Sequence, residues 1–331
     1  ASSGDGFKKT GISDIYFPFD SNKFRRYTKK ILFPFTNLKS YFNYDVVQLV
    51  YNDIFGGSKF NYNYYIIKKI VKNNKKVFLS ACGSDYFSYI NRKNLEYNFF
   101  DDDPTVFKNG KCVFEEKYYK RNNEKVLELI DGIIPTTYTY AEAYRNHPKL
   151  LNTIPFPMDI DKIKYIPQKI ENNKIKIFHG LNREGFKGTK YIKEAMEKIK
   201  EKYPKDVDIF IDGKMPLEKY LKVLEKANII VDQALSYDYG MNALYSLAMG
   251  KVVLSGNEPE CGKEFGRDDI PVINIKPSVE DIYNKLEKLV LNKKCLEEIG
   301  YKSRKFVEDF HDYKKVAKQY LETWEKYGDN N

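Results

Sequence analysis

Apolar residues recur most regularly between residues 174 and 291, where short apolar runs alternate with stretches of helical period. The runs predict strands at 174–179 (Lys-Ile-Lys-Ile-Phe-His), 207–211, 228–232, 252–255 and 271–274. Helices are expected between them, near 189–202, 216–226, 240–249 and 279–291, where apolar positions return every three or four residues. Strands and helices alternating in this way build a βα-repeating, doubly wound parallel sheet. Cys295 to Phe310 and Tyr313 to Tyr327 read as two further amphipathic helices. The last follows a complete Rossmann-like unit, so it has length to spare for crossing back onto the residues before that unit.

The first half alternates aromatic, strand-like runs with basic helices. Asp45 to Val50, Lys76 to Ser80 and Gly132 to Ile134 predict strands, and helices are expected at 60–73, 124–130 and 140–144. Residues 98–120 read as irregular and charged, and Asp101-Asp-Asp as a loop or helix start rather than a metal site. Ile154-Pro-Phe-Pro-Met-Asp159 stops regular structure and stiffens a crossing that runs to about Asn173. A chain of 331 residues exceeds what one core usually supports. The expected division is therefore a Rossmann-like domain over 1–160, a second over 161–310, and a C-terminal helix over 311–331 that packs back on the first.

Composition changes this picture mainly in the first hundred residues. They hold 16 Lys/Arg against 7 Asp/Glu, whereas the remaining 231 hold 40 against 39, so nearly all of the net +10 belongs to the first domain. The same segment is dense in Tyr and Phe, as in Phe24-Arg-Arg-Tyr27 and Ile31-Leu-Phe-Pro-Phe35. Basic plus aromatic suits a surface that touches anionic lipid headgroups. No recognised nucleic-acid module accompanies it, so nucleic acid is not an expected partner. A solvated Lys- and Tyr-rich face is the plain alternative. Hydrophobic residues at 42% suffice for real cores and exclude wholesale disorder. No apolar run approaches the length of a spanning helix and no signal-peptide pattern is read, so the expectation is a cytoplasmic chain in peripheral contact with the inner membrane face. Cys82, Cys112, Cys261 and Cys295 lie far apart, as do His147, His179 and His311, so neither a disulfide framework nor a protein-ligated metal is expected.

Two loops carry candidate chemistry. Ser236 to Ser255 reads as a polar aromatic loop ending at Gly240, a helix through Met241, Leu244, Tyr245 and Ala248, a left-handed stop at Gly250 and a buried strand. Its helix N-terminus, with unpaired N–H groups around Gly240, Met241 and Asn242, is a place for an anion. The second loop, Gly180-Leu-Asn-Arg-Glu-Gly-Phe-Lys-Gly-Thr189, follows the first strand of the second domain. Arg183 offers a planar fork and Lys187 a mobile point charge, a pair suited to a diphosphate. It is neither a Walker A loop nor a Gly-x-Gly-x-x-Gly fingerprint. Gly213, Lys214 and Met215 after the next strand, and Asp232-Gln233 after the third, reach the same sheet edge.

On these residues the second half resembles the donor-binding domain of GT-B glycosyltransferases, the retaining family 4 group especially. Gly180 through Lys187-Gly188 is similar to their Gly-Arg…Lys-Gly loop, and Tyr237 through Gly250 to their Glu-Gly-Phe-Gly…Glu-Ala-Met-Ala-x-Gly segment. Ile154-Pro…Asp159 resembles their interdomain turn, and Ala81-Cys-Gly-Ser-Asp85 a weaker first-domain landmark. The resemblance implies two Rossmann-like domains facing across a cleft. It implies a metal-independent hexosyltransferase, retaining in mechanism, acting in cell-surface polysaccharide synthesis. The donor is then a UDP- or GDP-sugar with no separate cofactor, and the acceptor a glycan or lipid-linked sugar. Arg183, Lys187 and Asp85 form the implied catalytic set. Gly180, Asn182, Gly213, Lys214, Met215, Asp232, Gln233, Tyr237, Asp238, Gly240, Met241, Asn242, Tyr245, Glu258 and Glu260 form the implied donor site.

The relatives carry two glutamates eight residues apart where this chain has Tyr237 and Tyr245. A phenol hydrogen-bonds a hydroxyl but offers no bidentate anionic acceptor. Asp238 lies one residue from the first position, and Glu258 and Glu260 follow the next strand. The missing carboxylates keep a second reading open, a non-catalytic subunit of the same fold that binds a partner glycosyltransferase or a glycan. A sugar-nucleotide epimerase is the third.

Overall fold

Three apolar runs in the first half pair in parallel in the computed structural model, which describes residues 22–56, 60–102, 107–108, 111–181, 184–213 and 215–327. They are β1 (Val46–Leu49), β2 (Lys76–Ala81) and, after a short antiparallel hairpin of β3 (Phe107–Lys108) and β4 (Lys111–Cys112), β5 (Gly132–Pro135). The sheet order is β1-β2-β5, in register through Val47 opposite Val77 and Leu79 opposite Ile133. Successive side chains of a strand point to opposite faces. Val77 and Leu79 accordingly pack on one side with Ile66, Ile67 and Ile70 of the helix Tyr62–Lys72 and Val126 and Leu127 of the helix Lys117–Leu129. Phe78 points to the other side, where Val316, Tyr320 and Trp324 of the helix Tyr313–Lys326 cover it. The last helix thus crosses back and closes the open face of the first sheet. Trp324 donates from Nε1 to Oε1 of Gln48 at 3.0 Å, and Lys76 Nζ donates to the carbonyl of Trp324 at 2.9 Å. Because both faces are buried, β2 reads as a continuous apolar run rather than an alternating one.

The second domain is a five-stranded parallel sheet of β6 (Ile175–Gly180), β7 (Val207–Asp212), β8 (Ile229–Val231), β9 (Val252–Ser255) and β10 (Val272–Asn274), in the order β10-β9-β8-β6-β7. The alternation repeats. Ile175, Ile177, Ile229, Val231, Val252 and Leu254 pack beneath the helices Thr189–Lys202 and Val279–Leu291. Phe178, Ile230 and Val253 pack beneath Leu217–Lys226, Met241–Ala248 and Cys295–Phe310.

Met241–Ala248 ends in a Schellman turn. Lys251 N–H donates to Ser246 O and Gly250 N–H to Leu247 O, both at 2.9 Å, with Gly250 at φ +79°. A Cβ on Gly250 would overlap the ring of Tyr165.

Several elements had no expected counterpart. The helix Lys23–Thr36 carries Pro34 inside it. The helix Pro259–Phe265 is bounded by Pro259 in its first turn and Gly266 at φ +63°. Lys117–Leu129 begins seven residues earlier than position 124 because its buried face includes Asn122 and Asn123, which break the apolar period. Asn122 accepts from Asn63 at 3.1 Å and Asn123 from Asn52 at 2.5 Å, so these amides are satisfied inside.

The chain passes between domains twice, side by side. Met158 N–H donates to His311 O at 2.7 Å, and Tyr313 N–H to Met158 O at 3.2 Å. His311 is buried there, and Nδ1 donates to Phe156 O at 2.8 Å while Nε2 accepts from Tyr239 Oη at 3.1 Å. That pattern requires the neutral ring. Burial pushes the pKa down to about 4, and His179 inside β6 is pushed to about 4 by burial and by the nearby Lys187 charge.

Two outcomes follow from this packing. Gly250→Ala forces a side chain into a left-handed backbone, about 1 kcal/mol, and additionally displaces Tyr165. Its thermal midpoint should fall by several degrees while Gly266→Ala, with open space around its Cβ position, falls less. For the histidines the folded pKa lies below the unfolded value of about 6.5, so the unfolded chain binds the extra protons. Their stabilisation is full above about pH 6.5 and is lost as pH falls towards 4. Denaturant unfolding should show this loss, and His311→Gln should flatten the slope over that window.

Candidate functional site

The strand order places β6 between β7 and β8, so the connections leaving its two sides diverge at their carboxyl ends. A crevice opens at such a switch point. Gly180 ends β6, and Leu181 N–H donates to Asp212 O at 2.9 Å. A Cβ on Gly213 would overlap the backbone of Leu181, so the loops after β6 and β7 touch only because position 213 is glycine. Asn182, Arg183 and Lys214 lie outside the described residues. Lys187 ends the short helix Glu184–Lys187 and turns inward, and its carbonyl accepts from Ala234 N–H at 2.9 Å. Its ammonium meets Asp232 Oδ1 at 2.6 Å, with the two side chains 4% and 2% exposed. An ion pair this deep survives only because each charge compensates the other.

The opposite wall comes from Ser236–Gly240 and the helix Met241–Ala248. Gly240 is the N-cap, and no side chain caps it. The first-turn N–H groups of Met241, Asn242 and Ala243 have no partner within the helix. Gln233 braces the loop, donating from Nε2 to Asp238 O at 2.7 Å. Between the walls lies a cleft of about 960 Å³. Lys187, Met215, Asp232, Gln233, Tyr237, Asp238, Gly240, Met241, Asn242 and Tyr245 line it from the second domain. Cys82, Ser84, Arg92, Tyr97, Thr137 and Thr139 line it from the first. The lining loops follow the carboxyl ends of β2, β5, β6, β7 and β8, so the two sheets face each other across the cleft.

Tyr237, Asp238 and Glu258 connect the domains. Tyr237 Oη accepts from Glu96 N–H at 2.9 Å, and its ring lies 4.9 Å from Tyr97 and 6.0 Å from Tyr138. Asp238 is buried, and its carboxylate accepts from Tyr138 N–H at 3.1 Å and Thr139 N–H at 2.8 Å. These are the first N–H groups of the helix Tyr138–Ala143, so a carboxylate of one domain caps a helix of the other. Burial raises the Asp238 pKa. Glu258 Oε1 accepts from Tyr97 Oη at 2.6 Å and from Asn274 Nδ2 at 2.9 Å. Glu260 stands half-buried in the first turn of Pro259–Phe265 and does not line the cleft. Tyr245 lines it from the helix.

Asp85 is not brought into the cleft. It caps the helix Tyr86–Ile90 by accepting from Ser88 N–H at 2.8 Å, and it also accepts from Asn52 at 3.0 Å and from Tyr144 Oη. Burial raises its pKa. Its neighbours Cys82 and Ser84 hold the cleft position instead. Arg92, Tyr97, Thr137 and Thr139 had no signal in the sequence, since they come together only when the first domain meets the second. Among the described residues no group of His, Cys, Asp or Glu is arranged to hold a metal ion, and no helix is long and apolar enough to cross a membrane.

No protein-family model matches the chain, and no curated protein matches it by sequence. Solved structures do. Sucrose-phosphate synthase from Thermosynechococcus elongatus superposes with a TM-score of 0.62 at 13% identity, over 95% of this chain and 81% of that one. Anabaena HepE in complex with UDP and glucose does so with a TM-score of 0.59 at 10% identity, over 93% and 84%. A glycosyltransferase from Rickettsia africae gives 0.56 at 14% identity, over 96% and 85%. These neighbours are GT-B glycosyltransferases, and the chain shares their fold: two Rossmann-like domains facing across a cleft, with the last helix crossing back onto the first.

Proposed function

We propose that this chain transfers a sugar from a nucleotide-diphosphate sugar, bound in the interdomain cleft, to a glycan or lipid-linked acceptor. The observation that carries the reading is the position of Lys187. It is buried at the β6/β8 switch point and lines the same cleft as the uncapped N-terminus of Met241–Ala248. An ammonium has three donors. Asp232 takes one, and phosphate oxygens can take others without stripping the carboxylate of its partner. Arg183, four residues earlier in the same loop, supplies the net positive charge that the Lys187–Asp232 pair does not. Positive groups at a diphosphate stabilise the charge that develops as it leaves, so the proposed transfer is metal-independent. The donor is a UDP- or GDP-hexose. In a retaining transfer its own phosphate oxygen takes the acceptor proton. The setting we propose is cell-surface polysaccharide synthesis, with the chain cytoplasmic and peripheral to the membrane.

One observation favours the second reading, a donor- or glycan-binding subunit without transfer. The Tyr237 hydroxyl and the Asp238 carboxylate both accept from first-domain N–H groups, so both already serve the contact between the domains.

Calorimetry with UDP, GDP and their sugars tests the donor site. One nucleotide diphosphate should bind, and Arg183→Ala and Lys187→Met should each weaken it at least about tenfold, the loss of one charge-assisted contact. Unchanged affinity in both variants sinks the assignment. Sugar transfer or donor hydrolysis then separates an enzyme from a binding subunit. Lys187→Met also leaves Asp232 buried without its counter-charge, which destabilises by about 3–5 kcal/mol. Denaturant unfolding should show Lys187→Met/Asp232→Asn to be more stable than Lys187→Met alone, and binding is best compared in that background.

A further inference from the structure

The edge of the first domain that carries the helices Lys23–Thr36 and Tyr62–Lys72 is both apolar and basic on its outside. Leu32, Phe35, Phe60 and Tyr65 are 58%, 51%, 78% and 59% exposed. They belong to one surface. Phe35 meets Tyr62 edge-on with ring centroids 5.0 Å apart, Phe60 precedes Tyr62 by two residues, and Tyr65 lies one turn further along the same helix. Single apolar side chains are ordinary on a protein surface, but large ones grouped on two adjoining helices mark an interaction site.

Charge identifies the partner. Residues 22–73 hold ten Lys/Arg against two Asp/Glu. Lys68, Lys69 and Lys72 are exposed on the same helix as Tyr65. The adjoining helix Lys117–Leu129 adds four Lys/Arg against Glu124 and Glu128, with Lys120 and Glu124 paired at 3.7 Å. Asp45 is already matched by Lys75 at 2.6 Å. Exposed aromatic and aliphatic side chains within a cationic field complement a surface that is anionic outside and apolar just beneath, which is the headgroup layer of an anionic bilayer.

The surface also reaches the cleft. Val50 and Ile54, 57% and 43% exposed, stand on the loop after β1. Phe55 N–H in that loop donates to Asn63 Oδ1 at 3.1 Å, which ties it to the start of Tyr62–Lys72. On its other side Val50 O accepts from the Cys82 thiol at 3.2 Å, and Tyr51 Oη donates to Ser84 O at 3.1 Å. Cys82 and Ser84 line the cleft. The basic, aromatic surface and the cleft mouth therefore share a rim.

We infer that this basic, aromatic edge seats the chain on an anionic bilayer, with the cleft mouth turned to take a lipid-linked acceptor from the membrane. Only the acceptor half of the inference rests on the proposed transferase reading. Co-sedimentation of the full chain with phosphatidylcholine vesicles, with and without phosphatidylglycerol, tests it. Binding should require phosphatidylglycerol and fall as salt is raised. Lys68→Glu/Lys69→Glu/Lys72→Glu should lower the partition coefficient at least about tenfold. Leu32→Ser/Phe35→Ser/Phe60→Ser should lower it further with little effect on the thermal midpoint, since all three are exposed. Equal binding to neutral vesicles, no binding to either, or unaltered binding by both variants overturns the inference. So does a solution dimer that the serine variant dissociates, because the surface would then belong to a second copy. Nucleotide calorimetry on the lysine variant keeps the two readings apart: vesicle binding lost with nucleotide affinity kept supports this surface whatever the outcome for transfer.

Discussion

The two domain crossings are hydrogen-bonded to each other at Met158 and His311–Tyr313. Each crossing alone would be a stiff but isolated connection. Paired, and pinned by a neutral His311 between Phe156 and Tyr239, they set where the second domain stands relative to the first. The consequence is visible on both sides. Tyr313–Lys326 is delivered onto Phe78 and Ile134 of the first sheet, and the carboxyl ends of both sheets are turned towards one cleft.

Within that cleft the groups proposed to hold a ligand and the groups that hold the domains are different residues. Lys187, kept in place by Asp232, and the N-terminus of Met241–Ala248 form the proposed anion site. Tyr237, Asp238 and Glu258 instead join the domains, through Glu96, the helix Tyr138–Ala143 and Tyr97. A cap by a buried carboxylate on two N–H groups contributes about 1–2 kcal/mol to holding the two domains together.

The second domain was largely legible in the sequence because its strands are buried on both faces and end in glycine or polar stops, so runs such as Val252-Val-Leu254 and the stop at Gly250 stand out. The first domain was less so. Lys117–Leu129 hides its period behind buried asparagines, and Lys23–Thr36 contains a proline. In the site, the loops carrying Lys187 and Gly240 could be found from glycines and cations near strand ends. The partnerships could not. Lys187 and Asp232 are 45 residues apart, and Asp238 caps a helix about 100 residues earlier in another domain. Asp85 entered the expected catalytic set through the family resemblance, yet an aspartate just before a helix is as readily its cap, here accepting from the Ser88 N–H three residues on.

In the proposed function a nucleotide diphosphate sits between the Lys187 loop and the N-terminus of Met241–Ala248. Amide hydrogen exchange, compared with and without saturating UDP or GDP, addresses it most directly. The amides of Met241, Asn242 and Ala243 should exchange more slowly with the bound nucleotide, together with those of residues 184–190. Bound nucleotide that leaves both segments unchanged, or protects only residues away from the β6/β8 switch point, would contradict it.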